Sequence, residues 1–126
     1  MTPTELVETF LASMNRIGGL ADAISTYFTD DTVYENVGMT HSTGIAGGLE
    51  VVRAFEAGFG PFALKVDNLA VTGDGNRVLT ERVDHIVSPA GETLMSIRLM
   101  GIFETEDGKI TAWRDYFDTA PFKPAA

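Results

Sequence analysis

Apolar residues in the first stretch of the chain fall three and four apart: Leu6, Val7, Phe10, Leu11 and Met14. That spacing is one face of a helix. Thr2-Pro3-Thr4-Glu5 supplies its start, with Thr2 at N-cap, Pro3 in the first turn and Glu5 completing a capping box. Gly18-Gly19 is read as its end. A second helix is predicted over 20–27, with Ile24, Tyr27 and Phe28 as its apolar side. Thr29-Asp30-Asp31 reads as a turn, and 32–37 as a short strand that places Thr32, Tyr34 and Asn36 on one face. The segment 39–48, rich in Gly, Thr and Ser, reads as a loop. A third helix is predicted over 49–59, carrying Val52, Phe55 and Phe59, and Gly60-Pro61 stops it.

From Phe62 onward the period changes to two. Strands are predicted over 63–71, 77–87, 92–104 and 109–117, separated by Gly73-Asp74-Gly75-Asn76, Ser88-Pro89-Ala90-Gly91 and Glu106-Asp107-Gly108. Connectors of this kind join antiparallel neighbours. Helices first and a meander afterwards make an α+β fold, with a curved sheet folded around the helices. Closed into a cone, such a sheet leaves a cavity.

The parity of these strands brings polar residues to places where apolar ones are expected. In 109–117 Trp113, Asp115 and Phe117 share a face, so a carboxylate lies between two rings. In 77–87 Thr80, Arg82 and Asp84 share a face. On sheet neighbours, Asp115, Arg82 and Asp84 would converge. One reading is a structural ion-pair cluster at a sheet edge, as charges in strands usually are solvated. The other is a buried site in which the Arg82 fork bridges two carboxylates that share a proton, an acid beside a base. Tyr34 and Asn36 admit a similar pair of readings. They are a half-buried aromatic beside a turn-preferring amide, or a phenol and an amide that hold a water near Asp115.

Composition narrows the function classes. The chain has 126 residues, 44% of them apolar, enough for one domain, 1–126, with its own core. No apolar run reaches the length of a membrane span, and no basic n-region precedes an apolar stretch, so neither a membrane segment nor a signal peptide is expected. A formal charge of −9 argues against nucleic acid and anionic membrane surfaces. The absence of cysteine excludes disulfides and thiolate chemistry and fits a cytoplasmic protein. No metal is expected, because His41 and His85 lack ligand-like spacing; His85 falls on the outer parity of its strand. The run 44–48 lacks the lysine and preceding strand of a phosphate loop. Met39, Met95 and Met100 read as gap-filling core. Val83, Val87, Met100, Ile102 and Tyr116 make the outer parity apolar as well, and a sheet apolar on both faces needs a second cover. A homodimer packed through that face is the simple solution.

Three motifs taken together, Tyr34-Glu35-Asn36, Thr80-Glu81-Arg82-Val83-Asp84 and the stretch from Gly108 to Asp118 around Trp113-Arg114-Asp115, resemble the limonene-1,2-epoxide hydrolase family. That family lies within the group resembling nuclear transport factor 2 and ketosteroid isomerase. The resemblance covers nearly the whole chain and keeps the motifs in order. It implies a strongly curved mixed β-sheet forming a cone, with N-terminal helices closing a deep apolar pocket. It also implies one-step hydrolysis of an apolar, cyclic or terpene-like epoxide to a vicinal diol, with no cofactor and no covalent intermediate. By motif, Asp115 would be the base on water, Tyr34 and Asn36 would orient that water, Asp84 would protonate the epoxide oxygen, and Arg82 would bind both carboxylates. Phe55, Phe59, Ile86, Ile97, Leu99, Trp113, Phe117 and Phe122 would line the substrate site, though on residue type alone they are simply core. The chain ends soon after the last strand, so the lid over the pocket, and with it the substrate, is expected to differ from the limonene enzyme. An isomerase or polyketide-type cyclase on the same scaffold would need only an Asp in the cone. A non-catalytic binding module would need none of the set.

Overall fold

The computed structural model describes residues 1–122. In chain order the elements are α1 (Pro3–Ala12), α2 (Gly19–Tyr27), β1 (Phe28–Asn36), β2 (Thr40–Thr43), α3 (Gly44–Phe59), β3 (Ala63–Asp74), β4 (Arg77–Val87), β5 (Thr93–Glu106) and β6 (Lys109–Tyr116), then a single 3-10 turn, Ala120–Phe122. The strands form one mixed sheet in the order β2-β1-β6-β5-β4-β3. Among the described residues only β1 and β6 run parallel; the meander from β3 to β6 is antiparallel throughout. The fold is thus the α+β cone expected from the pattern, with the sheet strongly curved but unclosed and the helices in its concavity.

Curvature comes from bulges, each an extra residue on one strand that bends it. Register shifts leave Leu69 unpaired in β3, Leu94 in β5 and Thr111 in β6. The Thr111 bulge has a further effect. Strict alternation would put Ile110 and Trp113 on opposite faces, yet both are buried, because the inserted residue resets the parity between them.

Helix α1 starts as its capping box requires. Thr2 Oγ1 accepts from Glu5 N at 3.1 Å, and Glu5 Oε1 accepts from Thr2 N at 3.0 Å. Its buried side carries Leu6, Val7, Phe10 and Leu11. The Phe10 ring meets those of Tyr27, Phe28, Phe103 and Trp113 at 5.2 to 6.1 Å. This cluster plugs the floor of the cone.

Several boundaries differ from the pattern; β3 and β5, for instance, run on into their expected connectors, to Asp74 and Glu106. Helix α1 ends at Ala12, well before Gly18-Gly19. Ser13 Oγ donates to Phe10 O, and the Met14 carbonyl accepts from Leu64 N of β3, so tertiary pairing takes over from the helix. Thr29-Asp30-Asp31 is not a turn but an irregular part of β1. There Thr32 Oγ1 accepts from Thr29 N and donates to Ile110 O at 2.6 Å. The segment 39–48 is not a loop: it forms β2 and the first turns of α3. Its glycines are there for room. A Cβ on Gly44 would lie 2.6 Å from Asp30 O, and one on Gly48 would lie 3.0 Å from Ile24 and 3.1 Å from Phe28. Close packing of α3 on β1 and α2 outweighs the poor helix propensity of glycine. Finally, β6 ends at Tyr116, so Phe117 leaves the sheet.

Candidate active site

Strand register carries the polar residues into the cone. Parallel pairing sets Tyr34 beside Trp113 and Asn36 beside Asp115; antiparallel pairing sets Gly101 opposite Asp115 and Thr80 opposite Gly101. Arg82 and Asp84 follow Thr80 on the inner face of β4, and Arg82, Asp84 and Asp115 are all at most 4% exposed. The guanidinium crosses β5 at Gly101 to reach β6. Arg82 Nη2 donates to Asp115 Oδ2 at 2.8 Å and to Asp84 Oδ2 at 3.0 Å, and Nε donates to Asp84 Oδ1 at 3.1 Å. Nη1 donates to Thr80 Oγ1 at 2.9 Å, and that hydroxyl donates to Gly101 O. A side chain at 101 would collide with Arg82 Nη1 and Asp115 Oδ1, so glycine is what lets the bridge pass. The Arg82 carbon also lies 5.6 Å from the centre of the Phe103 ring.

The electrostatics follow from this burial. Loss of solvent pushes the Asp115 carboxyl above its ordinary 3.8; Arg82 opposes that shift and the Asp84 charge adds to it. Burial works against the Arg82 charge, but Asp115 and Asp84 outweigh it and hold the guanidinium protonated. Burial raises the Tyr34 phenol too, keeping it neutral. Asn36 Nδ2 donates to Thr40 Oγ1 at 3.0 Å, so β2 anchors that amide. Trp113 Nε1 donates to Asp115 Oδ1 at 2.9 Å.

A narrow cleft, partly open to solvent, leads to the cluster. Tyr34, Asn36, Asp84 and Asp115 lie on its wall, while Arg82 stands behind them. Phe55, Phe59, Ile86, Ile97, Leu99, Trp113, Phe117 and Phe122 all line it. The Phe117 and Phe122 rings meet edge to face at 5.7 Å. Closure by the segment after Phe122 lies outside the described residues. Leu20, Leu64 and Met39 also line the cleft; of these, Met39 was expected in the core. Leu20 and Leu64 had only their apolarity as a signal, since their approach depends on how α2 docks against the sheet. Thr80 shares the face of Arg82, a signal legible in the alternation. Gly101 and Thr40 carried none. His41 is exposed on β2; His85 faces outward, between Ser96 (2.7 Å) and Asp67 (2.9 Å).

The model of the limonene-1,2-epoxide hydrolase catalytic domain matches residues 1–123. The chain belongs to the limonene-1,2-epoxide hydrolase family. It is 37% identical over 97 residues to epoxide hydrolase EphG of Mycobacterium tuberculosis, an alignment covering 77% of this chain and 62% of that protein. The chain thus spans under two thirds of that relative's length. A solved structure of an M. tuberculosis LEH-like epoxide hydrolase superposes with a TM-score of 0.72 at 33% identity, covering 93% of this chain and 79% of that one. An NTF2-like protein of Cytophaga hutchinsonii superposes with a TM-score of 0.70 at 20% identity, covering 97% and 95%, and shares the fold. Within the family, the motifs around Tyr34, Arg82 and Asp115 are the parts of this chain that meet at the cleft.

Proposed function

We propose that the protein is a cofactor-independent epoxide hydrolase that adds water to an apolar, cyclic or terpene-like epoxide and releases a vicinal diol. The observation that supports this best is the Asp84–Arg82–Asp115 bridge at the end of an apolar cleft, with Tyr34 and Asn36 beside it. A water held by the Tyr34 hydroxyl, the Asn36 amide and Asp115 loses a proton to Asp115 as its oxygen attacks an epoxide carbon. The carbon–oxygen bond of the ring breaks, and the leaving oxygen takes a proton from Asp84. Asp115 then holds the proton taken from water while Asp84 is left ionised, and transfer from Asp115 to Asp84 resets the pair. Arg82 keeps a charge between them and limits the cost of burying the remaining anion. An apolar cleft excludes competing water and matches a hydrocarbon skeleton. Two copies of the chain packed through the outer sheet face complete the reading.

The test is turnover of a panel of cyclic and terpene epoxides against glycidol, with the diols separated by chromatography. The expected order is apolar cyclic epoxides first. A preference for glycidol would place the working pocket elsewhere. In heavy-oxygen water a single turnover should label the diol and leave the protein unlabelled; label in Asp115 or Asp84 would show attack by a carboxylate instead.

A further inference from the structure

Arg82 donates to both carboxylates, but one donor serves only one of them. The Trp113 indole reaches Oδ1 of Asp115 at 2.9 Å, while among the described residues Asp84 receives side-chain hydrogen bonds from the guanidinium alone. An indole nitrogen donates and never accepts. It needs a lone pair on Oδ1, so it favours the carboxylate over the acid on that residue.

The ring has no freedom to turn away. Trp113 is 1% exposed. It stacks on Tyr34 at 4.4 Å and 15° and on Phe103 at 5.6 Å and 20°, and Phe10 closes on it edge to face at 5.2 Å. Cross-strand pairing with both Tyr34 and Phe103 sets this ladder of rings, and the Thr111 bulge turns the indole into it. The charged and titratable groups facing Asp115 are Arg82 and Asp84 from β4 and Tyr34 from β1; β5 brings only Gly101. Within this set the indole is the neutral donor that tells the two carboxylates apart.

We propose that Trp113 is a positioning residue, beyond its place in the cleft wall: its clamped N–H selects Asp115 as the base of the Arg82-bridged pair and aims it at the water site beside Tyr34. The proposal rests on the epoxide-hydrolysis reading for the word base, and on geometry alone for the coupling between indole and carboxylate.

The chain contains a single tryptophan, so an analogue supplied in place of tryptophan alters position 113 and nothing else. Benzothienylalanine, introduced at 113 by cell-free translation, keeps the bicyclic shape and loses the N–H. 5-Fluorotryptophan keeps both and serves as the rescue. Two readouts are taken: the titration of Asp115 by carbon NMR of the labelled carboxyl, which needs no substrate, and the pH profile of kcat and KM on one good epoxide.

Loss of the N–H should raise the Asp115 titration by about one pH unit, the usual scale for a hydrogen bond to a charged group. The acid limb of kcat should move upward by the same amount, with KM nearly unchanged, and fluorotryptophan should restore both. An unchanged titration in the benzothienyl protein overturns the proposal. So does a moved titration with an unmoved acid limb, because the base would then lie elsewhere. Failure of the wild type to open any epoxide would overturn the reaction assigned above, and with it Asp115 as base. The titration would still decide the coupling on its own.

Discussion

At the scale of single residues, the arrangement asks Asp115 to accept a proton and Asp84 to give one. Asp115→Asn and Asp84→Asn should each lower kcat on the order of a hundredfold to ten-thousandfold, the usual range for a general acid or base. The double variant should be little worse than either single one, since both groups act in one concerted step. Glu81→Gln is the control. Glu81 faces outward from β4 toward Arg98 at 3.4 Å, and its loss should leave kcat nearly unchanged. Stopped assays on one epoxide, with folding followed by circular dichroism, check all four. A folded Asp84→Asn with wild-type turnover would remove Asp84 from the mechanism. The pH profile carries a sign of its own. Burial raises the Asp115 carboxyl, so its ionised form is lost on acidification sooner than for an exposed aspartate. The acid limb of kcat/KM should therefore lie above the ordinary 3.8, and an acid limb below that value would contradict the burial argument.

At the scale of elements, β5 and α1 support the site without supplying any of its proposed acid–base groups. Strand β5 stands between Arg82 and Asp115 and lets them meet only because Gly101 has no side chain. Gly101→Ala forces a methyl group against the guanidinium and the carboxylate, both fixed by burial. A stability loss of about 1–3 kcal/mol is expected by analogy with overpacked cores, together with loss of turnover. Urea unfolding measures the first, and an unchanged midpoint would mean the bridge has room to move. Helix α1 offers a separate test. Thr2 and Glu5 cap it reciprocally at 3.1 and 3.0 Å, so Thr2→Ala should cost about 1 kcal/mol, read as a lower Tm. The cap lies on an exposed end of the helix, and kcat at a temperature well below Tm should not follow.

At the scale of the whole molecule, the convex side of the sheet leaves apolar surface in water. Met100 and Tyr116 pair across β5 and β6 and are each 50% exposed; Leu79 is 39% exposed and Ile102, Val83 and Val87 are half-buried around them. The helices occupy the concave side, so they do not cover this face. A two-fold pairing of copies through it is the expected state, and light scattering at micromolar concentration should give twice the chain mass of 13.6 kDa. Met100→Lys should shift the protein toward monomer. A monomeric wild type would show that the face is tolerated in water.

Local rules determined a good deal. Alternation placed Thr80, Arg82 and Asp84 on one face and Trp113 and Asp115 on one face, because a strand's side-chain period is fixed by its backbone. The capping box announced α1, and the Gly-containing connectors announced the antiparallel meander, because both are chemistries of three or four neighbouring residues. Tertiary structure decided what depends on distant partners. Thr29-Asp30-Asp31 joined β1 because Thr32 found the Ile110 carbonyl, and 39–48 became strand and helix because its glycines fit against Asp30, Ile24 and Phe28. Bulges at Leu69, Leu94 and Thr111 bent the sheet, and no local signal marks where an extra residue will be squeezed out of a ladder. The passage of Arg82 over Gly101 to Asp115 belongs to the same class. Its residues are far apart in the chain, and only the register of three strands sets a guanidinium, a missing side chain and a carboxylate in one line.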